Sequence, residues 1–273
     1  MTNTASSSAQ DSSAERASAQ WDRYHSSHHA HTGRTGTGGL ANIEFEANFG
    51  AHLPLPPATV LEVGFGEGHT LQRLSNRGYE DLHGWDISRE CVERALAAHV
   101  PATLKHVDAL VELRRVSSGT FDVILAKDLL EHLPRADVLP FLEAVHSALR
   151  PGGVFLARLP NMGSFFAVML RYDDFTHRLG FTENSLRQVF TLAGFERKNV
   201  AILNDVLPAW PLLRNGLFGH LFIETILGPL VRWLARIMLL SQRKGPPKVD
   251  TLRAIVKVTK SQESLGKLAS PRE

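Results

Sequence analysis

The sequence contains one cysteine, Cys91, among its 273 residues. A disulfide framework within the chain is therefore excluded, and we expect a reducing compartment. Neither sign of charge is in large excess, because the chain has 30 Lys and Arg and 28 Asp and Glu, which gives a formal charge of +2. Such a balance gives no global field for nucleic acid. Residues 1–20 lack the apolar run of a secretory signal. These absences predict a cytoplasmic protein that binds no nucleic acid.

Hydrophobic residues make up 43% of the chain, enough for an ordinary core. Short apolar runs alternate with segments of helical spacing between residues 59 and 159. Strands that alternate with helices predict a doubly wound, mostly parallel α/β sheet with helices on both faces. The predicted strands are Thr59–Val63, Asp81–Asp86, Thr103–Val107, Phe121–Ala126 and Val154–Leu159. Ligands of such sheets bind beyond the carboxyl ends of the strands.

A glycine-rich loop follows the first predicted strand and precedes a helix. It reads Glu62-Val63-Gly64-Phe65-Gly66-Glu67-Gly68, a G-x-G-x-G spacing that departs from the dinucleotide-binding G-x-G-x-x-G. Glycines let the backbone approach a ligand closely, and Glu62 adds a carboxylate suited to a cationic group. Asp86 ends the second strand about 20 residues on, where a carboxylate accepts both ribose hydroxyls. Asp108 follows the third strand and suits an adenine amino group.

Five segments in this order resemble the class I S-adenosylmethionine-dependent methyltransferases. They are E-V-G-F-G-E-G at 62–68, G-W-D-I-S at 84–88, V-D-A at 107–109, F-D-V-I-L-A-K-D-L-L-E-H-L at 121–133 and L-R-P-G-G-V-F-L at 149–156. The resemblance covers 54–195 and returns at 252–258, and it implies a seven-stranded Rossmann-like methyltransferase sheet. It implies donor contacts from Glu62, Gly64, Phe65, Gly66 and Gly68 for the methionine part, Asp86 for the ribose, Ile87, Asp108 and Ala109 for the adenine, and Lys127 at the pocket wall.

Transfer of a methyl group to a hydroxyl also needs a base, and histidine is the usual choice near neutral pH. His132 and His177 both follow carboxyl ends of predicted strands and are the candidate catalytic residues, together with Asp128. Asp128-x-x-Glu131-His132 is also similar to the E-x-x-E-H metal motif of some O-methyltransferases. A divalent ion held with His177 would acidify an acceptor hydroxyl. We favour a site without metal, because the Glu-His pair is widespread among members that use none.

The segment Asp174-Phe175-Thr176-His177, with Phe181-Thr182 and Ala193-Gly194-Phe195, is similar to methyltransferases associated with cell-surface polysaccharide sugars. It favours a sugar or lipid-linked glycoconjugate precursor as acceptor. A metal-assisted O-methyltransferase of a quinone-like or small-metabolite hydroxyl is the alternative. A donor-binding but catalytically silent partner protein is a third hypothesis.

Composition divides the chain into six parts. They are a disordered tail at 1–20, an N-terminal arm or lid at 21–53, the donor-binding core at 54–205, an apolar helical insertion at 206–247, the final strand at 248–260 and a flexible tail at 261–273. In the insertion, Arg232, Arg236 and Arg243 share a helical face opposite Trp233, Ile237 and Leu240. This pattern is typical of a helix in a membrane interface. Three roles are open for residues 206–244. They contact the inner face of the membrane peripherally, cover the active site or form a dimer contact. The sequence does not determine the oligomeric state.

Overall fold

The computed structural model describes residues 21, 26, 39–164, 167–206, 229, 230, 233, 234, 237 and 251–262. The predicted tail at 1–20 and most of the predicted tail at 261–273 lie outside these residues. Most of the predicted apolar insertion at 206–247 also lies outside them. In the described part of the chain, no helix combines the length and apolarity needed to cross a bilayer.

Seven strands form one sheet in the order β3-β2-β1-β4-β5-β7-β6. All neighbouring strands pair in parallel except β7, which is antiparallel to both β5 and β6. The predicted doubly wound, mostly parallel sheet is confirmed. The strands are β1 (Val60–Val63), β2 (Leu82–Asp86), β3 (Thr103–His106), β4 (Phe121–Lys127), β5 (Leu149–Pro160), β6 (Val200–Asn204) and β7 (Arg253–Thr259).

Helices of five or more residues separate most of these strands. They are α1 (Gly39–Asn48), α2 (His69–Asn76), α3 (Arg89–Ala97), α4 (Ala109–Leu113), α5 (Arg135–Ala148), α6 (Ala167–Asp173) and α7 (Glu183–Leu192). Short 3-10 turns lie at Gly50–His52, Leu130–His132 and Arg197–Asn199.

Two apolar cores cover the two faces of the sheet. Strand β4 contributes to both cores, because successive side chains of a strand point to opposite faces of the sheet. Ile124 and Ala126 join the core that contains Phe141 of α5, and Val123 and Leu125 join the other one. The second core includes residues of α1, α2 and α3, so helices pack on both faces and leave the carboxyl ends of the strands for a ligand.

Strand β5 begins earlier than the sequence predicts. The sequence predicts a strand at Val154–Leu159, but β5 starts at Leu149, directly after α5. Leu149 pairs with Phe121 and Val154 pairs with Val123, so the register shifts between these pairs. Gly152 allows this bulge because its φ is +81°, a value that disfavours residues with a Cβ.

Helix α1 anchors the second half of the predicted arm. Phe45 and Phe49 are buried in the core on the α1 face of the sheet. The Asn48 side chain exchanges two hydrogen bonds of 2.8 Å with the backbone of Val206, and Arg77 forms an ion pair with Glu46. Residues 45–49 therefore belong to the packed domain.

Candidate active site

Three neighbouring strands end at one place in the sheet. The chain order reverses between β1 and β4, since β1 continues to β2 on one side while β4 lies on the other. Such a switch point is where open α/β sheets bind ligands. The loops after β1, β2 and β4 carry most of the predicted donor and acceptor residues.

The glycine loop after β1 adopts backbone conformations that residues with a Cβ rarely adopt. Gly66 has φ +58° and Gly68 has φ +77°. A Cβ built at Gly66 has no atom within 4 Å, whereas one at Gly68 would meet the Val100 side chain at 2.8 Å. Gly66 therefore leaves an open side for a ligand, and Gly68 is required by packing. Phe65 is buried in the core, so only its backbone can line the loop.

Asp86 ties the loop after β1 to the loop after β2. Its Oδ2 accepts a hydrogen bond of 2.9 Å from the Gly66 N–H, and its Oδ1 accepts one of 2.8 Å from the Ser88 N–H. The side chain is buried, and burial raises the pKa of Asp86 to about 6. The sequence predicts a ribose contact for Asp86, and the position of Asp86 where the two loops meet suits that contact.

Glu62 lies at the end of β1 and is completely buried. Lys127 of β4 approaches it, with 3.3 Å between Lys127 Nζ and Glu62 Oε1, and also donates to Thr70 Oγ1. Burial raises the pKa of Glu62, and the Lys127 charge opposes that rise. Neither carboxylate oxygen has a hydrogen-bond partner in the part of the chain described here. A buried carboxylate with unused acceptors fits the ammonium group of an amino-acid ligand.

The predicted adenine contacts lie on the next loop of the sheet. Asp108 is exposed and caps α4 by accepting a 3.0 Å hydrogen bond from the Val111 N–H. Ile87 is half-buried, and its carbonyl accepts from His106 Nε2 at 2.9 Å. Ala109 packs against the core. A capping role does not prevent Asp108 from meeting a ligand, so its predicted contact stays a prediction.

The structure brings together three of the four residues of the predicted metal motif. One ligand atom each from Glu131, His132 and His177 lies within 4.8 Å of the others. Glu131 and His132 belong to the turn after β4, and His177 comes from the loop after α6. Two backbone bonds join these elements, because the N–H groups of Arg178 and Leu179 donate to the Glu131 carbonyl at 2.8 and 3.0 Å.

Asp128 does not join this cluster. Its carboxylate forms a half-buried ion pair with Arg158 of β5, which also contacts Glu44 of α1 at 2.5 Å. Burial alone would raise the pKa of Asp128, but the Arg158 guanidinium holds it well below the usual range. A carboxylate held in this way is occupied by its partner, so Asp128 is placed as a structural anchor of the β4 end rather than beside the two histidines.

A chain of hydrogen bonds orients His132. Thr176 Oγ1 donates to Asp174 Oδ1 at 2.6 Å, and Asp174 is buried. Because the hydroxyl hydrogen is used there, Thr176 Oγ1 accepts from His132 Nδ1, 3.0 Å away. The proton of a neutral His132 therefore sits on Nδ1, and Nε2 carries the lone pair. Burial and the neighbouring His177 lower the pKa of His132 to about 4.

His177 has the same tautomer for a different reason. Its Nδ1 lies 2.9 Å from the Leu170 carbonyl, which can only accept, so Nδ1 donates. Nε2 then faces the Glu131 carboxylate at 4.0 Å. Neither Glu131 oxygen has a hydrogen-bond partner among the described residues, and burial and then Asp128 raise the pKa of Glu131 well above its usual value.

The predicted arm also reaches this cluster. The Trp21 ring meets the His132 ring edge-on, with 5.5 Å between centroids. The Ser26 N–H donates to Glu90 Oε2 at 3.2 Å, on the helix that follows Asp86. Two points of the arm thus touch the acceptor and donor sides of the site.

Sequence reasoning missed several of these partners. Thr176, Asp174, Arg158, Thr70 and Trp21 were not proposed as site residues. The Asp-x-Thr-His spacing was the available signal for the first two. Nothing in the sequence pairs Arg158 with Asp128, because strand register decides that contact.

Comparison with known proteins defines the class of this site. A family model described as "Methyltransferase domain" matches residues 42–200. The chain therefore belongs to this methyltransferase family. Its fold and donor are those of an S-adenosylmethionine-dependent methyltransferase.

The individual relatives compared here share about 30% sequence identity with this chain. The chain is 29% identical over 133 residues to a ubiquinone biosynthesis O-methyltransferase of Xanthomonas campestris pv. campestris, covering 47% of this chain and 54% of that protein. It is 30% identical over 166 residues to the protein of the same name from Psychrobacter arcticus, covering 55% and 63%. The chain thus spans about half the length of the first of these relatives.

Solved structures show the same fold at low identity. A SAM-dependent methyltransferase from Archaeoglobus fulgidus superposes with a TM-score of 0.57 at 16% identity, covering 82% of this chain and 95% of that chain. The 1,6-didemethyltoxoflavin-N1-methyltransferase of Burkholderia thailandensis, solved with 1,6-didemethyltoxoflavin and S-adenosylhomocysteine, gives 0.53 at 16% identity, covering 92% and 90%.

Proposed function

We propose that this enzyme transfers a methyl group from S-adenosylmethionine to the oxygen of a phenolic hydroxyl, with His132 as the base. One observation carries the proposal. The Asp174–Thr176–His132 chain fixes the imidazole so that Nε2 is the nitrogen able to take a proton. A ring nitrogen or an aromatic amine as acceptor already has an available lone pair and would not need this base.

Burial and the neighbouring His177 lower the pKa of His132, so this imidazole is a weaker base than a free histidine. A weaker base suits a more acidic acceptor, and a phenol is several pKa units more acidic than an aliphatic hydroxyl. The site therefore favours a phenol over a sugar hydroxyl.

The relatives support the same choice, since two of those compared carry the name ubiquinone biosynthesis O-methyltransferase. This reverses the order of the two acceptor classes that the sequence suggested. The sugar or lipid-linked glycoconjugate acceptor rests on the 174–195 motif alone and becomes the competing hypothesis.

Different residues of the site would bind the donor and accept the proton. When bound, S-adenosylmethionine supplies a sulfonium methyl group that is already a good electrophile. Glu62 would hold its ammonium group, and Asp86 would accept from its ribose hydroxyls. Gly66 leaves the backbone open to it. His132 takes the acceptor proton, and Trp21 beside it would exclude water.

A second candidate is the metal-assisted form of the same reaction. The buried Glu131 carboxylate without hydrogen-bond partners in the described chain, beside two imidazoles, is a donor set that suits a divalent ion. Glu131, His132 and His177 would hold the ion, which would lower the pKa of a bound hydroxyl. Isothermal titration with Zn²⁺ and Mg²⁺ tests this, with Glu131→Gln as the variant. Binding that the variant loses supports the ion, and no binding to the wild type rejects it.

The acceptor class is tested with methyl-labelled S-adenosylmethionine. Purified protein would receive catechol-type phenols, sugars or nucleotide sugars in parallel, and also cell extract split into lipid and aqueous fractions. We expect label on the phenols, lost by at least a hundredfold in His132→Ala. His99→Asn is the matched control, because His99 is exposed and its φ of +53° suits Asn.

Three outcomes would contradict the proposal. Label on sugars but not on phenols would favour the polysaccharide hypothesis. If the His132→Ala variant were as active as the wild type, His132 would not be the base. Donor binding without label in any fraction would favour the catalytically silent partner.

A further inference from the structure

The face of α6 that points away from the sheet is unusually apolar. Val168, Met169, Tyr172 and Phe175 are 62%, 72%, 76% and 99% exposed. Exposed hydrophobic groups of this size are common singly, but a contiguous set marks an interaction surface. We call these four residues the α6 stripe.

The α6 stripe is held in this exposed position by the rest of its segment. Ala167 at the start of α6 is buried, and Arg171 donates hydrogen bonds to the carbonyls of His177 and Arg178. The His177 ring bonds back to Leu170. Ala167 and Arg171 therefore contact the rest of the protein, whereas the four apolar side chains and Asp173 are exposed to solvent.

A second apolar stripe occurs at 229–237. Leu230, Trp233, Leu234 and Ile237 are helical, follow one another at intervals of three, one and three residues, and are between 45% and 58% exposed. Positions at this spacing share one face of a helix. We call these residues the C-terminal stripe.

The sequence around the C-terminal stripe is strongly cationic. Residues 206–248 contain six Lys and Arg but a single acidic residue, Glu224, although the whole chain carries a formal charge of only +2. An apolar helix face within a cationic segment fits an anionic lipid surface, where apolar side chains enter the headgroup region and cations meet the phosphates. An apolar protein partner would not call for the positive charge.

We propose that the enzyme docks on the surface of an anionic lipid bilayer through the α6 stripe and the C-terminal stripe. Phe175 directly precedes Thr176, which orients His132. Docking therefore places the acceptor side of the site at the lipid surface and gives access to acceptors that reside in the bilayer.

Vesicle co-sedimentation of the full chain tests this inference. The probes are vesicles of phosphatidylcholine alone and of phosphatidylcholine with phosphatidylglycerol. We expect binding to the anionic vesicles that weakens as salt rises, because salt screens the charge attraction. The double variants Tyr172→Ser/Phe175→Ser and Trp233→Ser/Leu234→Ser should each bind at least tenfold more weakly.

The control is Leu96→Ser/Leu192→Ser. These leucines are as exposed as the stripes, at 57% and 62%, but lie on α3 and α7. Their variant should bind vesicles like the wild type, and S-adenosylhomocysteine binding should be unchanged in all three variants. Lipid docking is measured without turnover, so its failure is separate from a failure of the proposed acceptor chemistry.

Several results would overturn the inference. One is a wild type that does not bind anionic vesicles at low salt. Another is a control variant that loses as much vesicle binding as the stripe variants do. A third is loss of self-association in the stripe variants with vesicle binding intact, which would make a second copy of the chain the occupant.

Discussion

Asp86 makes a quantitative prediction because one carboxylate serves two loops. Its two oxygens accept from the N–H groups of Gly66 and Ser88. Asn in its place offers a single oxygen, so one of these N–H groups or a ribose hydroxyl loses its acceptor. Losing a charge-assisted hydrogen bond costs about 1.5–3 kcal/mol. Asp86→Asn should therefore weaken donor affinity by about tenfold to a hundredfold.

The pH dependence adds a second signature. The pKa of Asp86 is raised from 3.8 to about 6 in the folded chain, chiefly by burial. A ligand that donates hydrogen bonds needs the ionised carboxylate, so the affinity of the wild type should fall as the pH drops below about 6. The variant has no such group and should bind with nearly constant affinity over this range.

The free energy of unfolding should fall as the pH rises, whereas the donor affinity should increase. The folded chain holds the Asp86 proton more tightly than the unfolded chain, so the contribution of Asp86 to stability is full below about pH 4. It is lost as the pH rises to about 6, by about 3 kcal/mol. Asp86→Asn should remove this slope from the free energy of unfolding.

The assay is isothermal titration with S-adenosylhomocysteine between about pH 5 and about pH 7.5, with urea unfolding of the free protein over the same range. Asp81→Asn is the control, because Asp81 lies just before the same strand and bonds Thr59 and His83 away from the site. A folded Asp86→Asn variant with unchanged affinity would refute the donor contact. A flat pH profile of the wild type would refute the role of its ionisation.

Three further outcomes follow from other contacts. Arg158→Met should lower the free energy of unfolding by about 1–3 kcal/mol, measured in urea, because it leaves the half-buried Asp128 carboxylate unpaired; a neutral effect would contradict the anchoring role. Thr176→Val should lower kcat about tenfold and alter its pH profile by freeing the His132 tautomer, whereas Thr176→Ser should restore both; equal loss in the two variants would point to packing alone. Cys91 is buried with a pKa raised to about 12, so a thiol reagent should react only after unfolding; rapid native labelling would contradict its burial.

Local sequence was enough to predict where the candidate donor-binding residues lie in the fold. The glycine loop, Glu62 and Asp86 each follow a strand whose apolar run is visible in the sequence. Parallel strands bring their carboxyl ends to one edge of the sheet, so predicting the strands also brought these residues together. The short edge strand β6 went unassigned, because its five residues carry little pattern of their own.

The acceptor half was decided by tertiary structure. His132 and Thr176 are 44 residues apart, and Asp128 and Arg158 are 30 apart. Sequence spacing grouped Asp128 with Glu131 and His132, but the register of β4 with β5 placed Arg158 beside Asp128. The loop after α6 then brought His177 and the Thr176–Asp174 pair to His132. Periodicity in a sequence determines which elements form and which face is apolar, whereas strand register and loop docking determine which polar side chains meet.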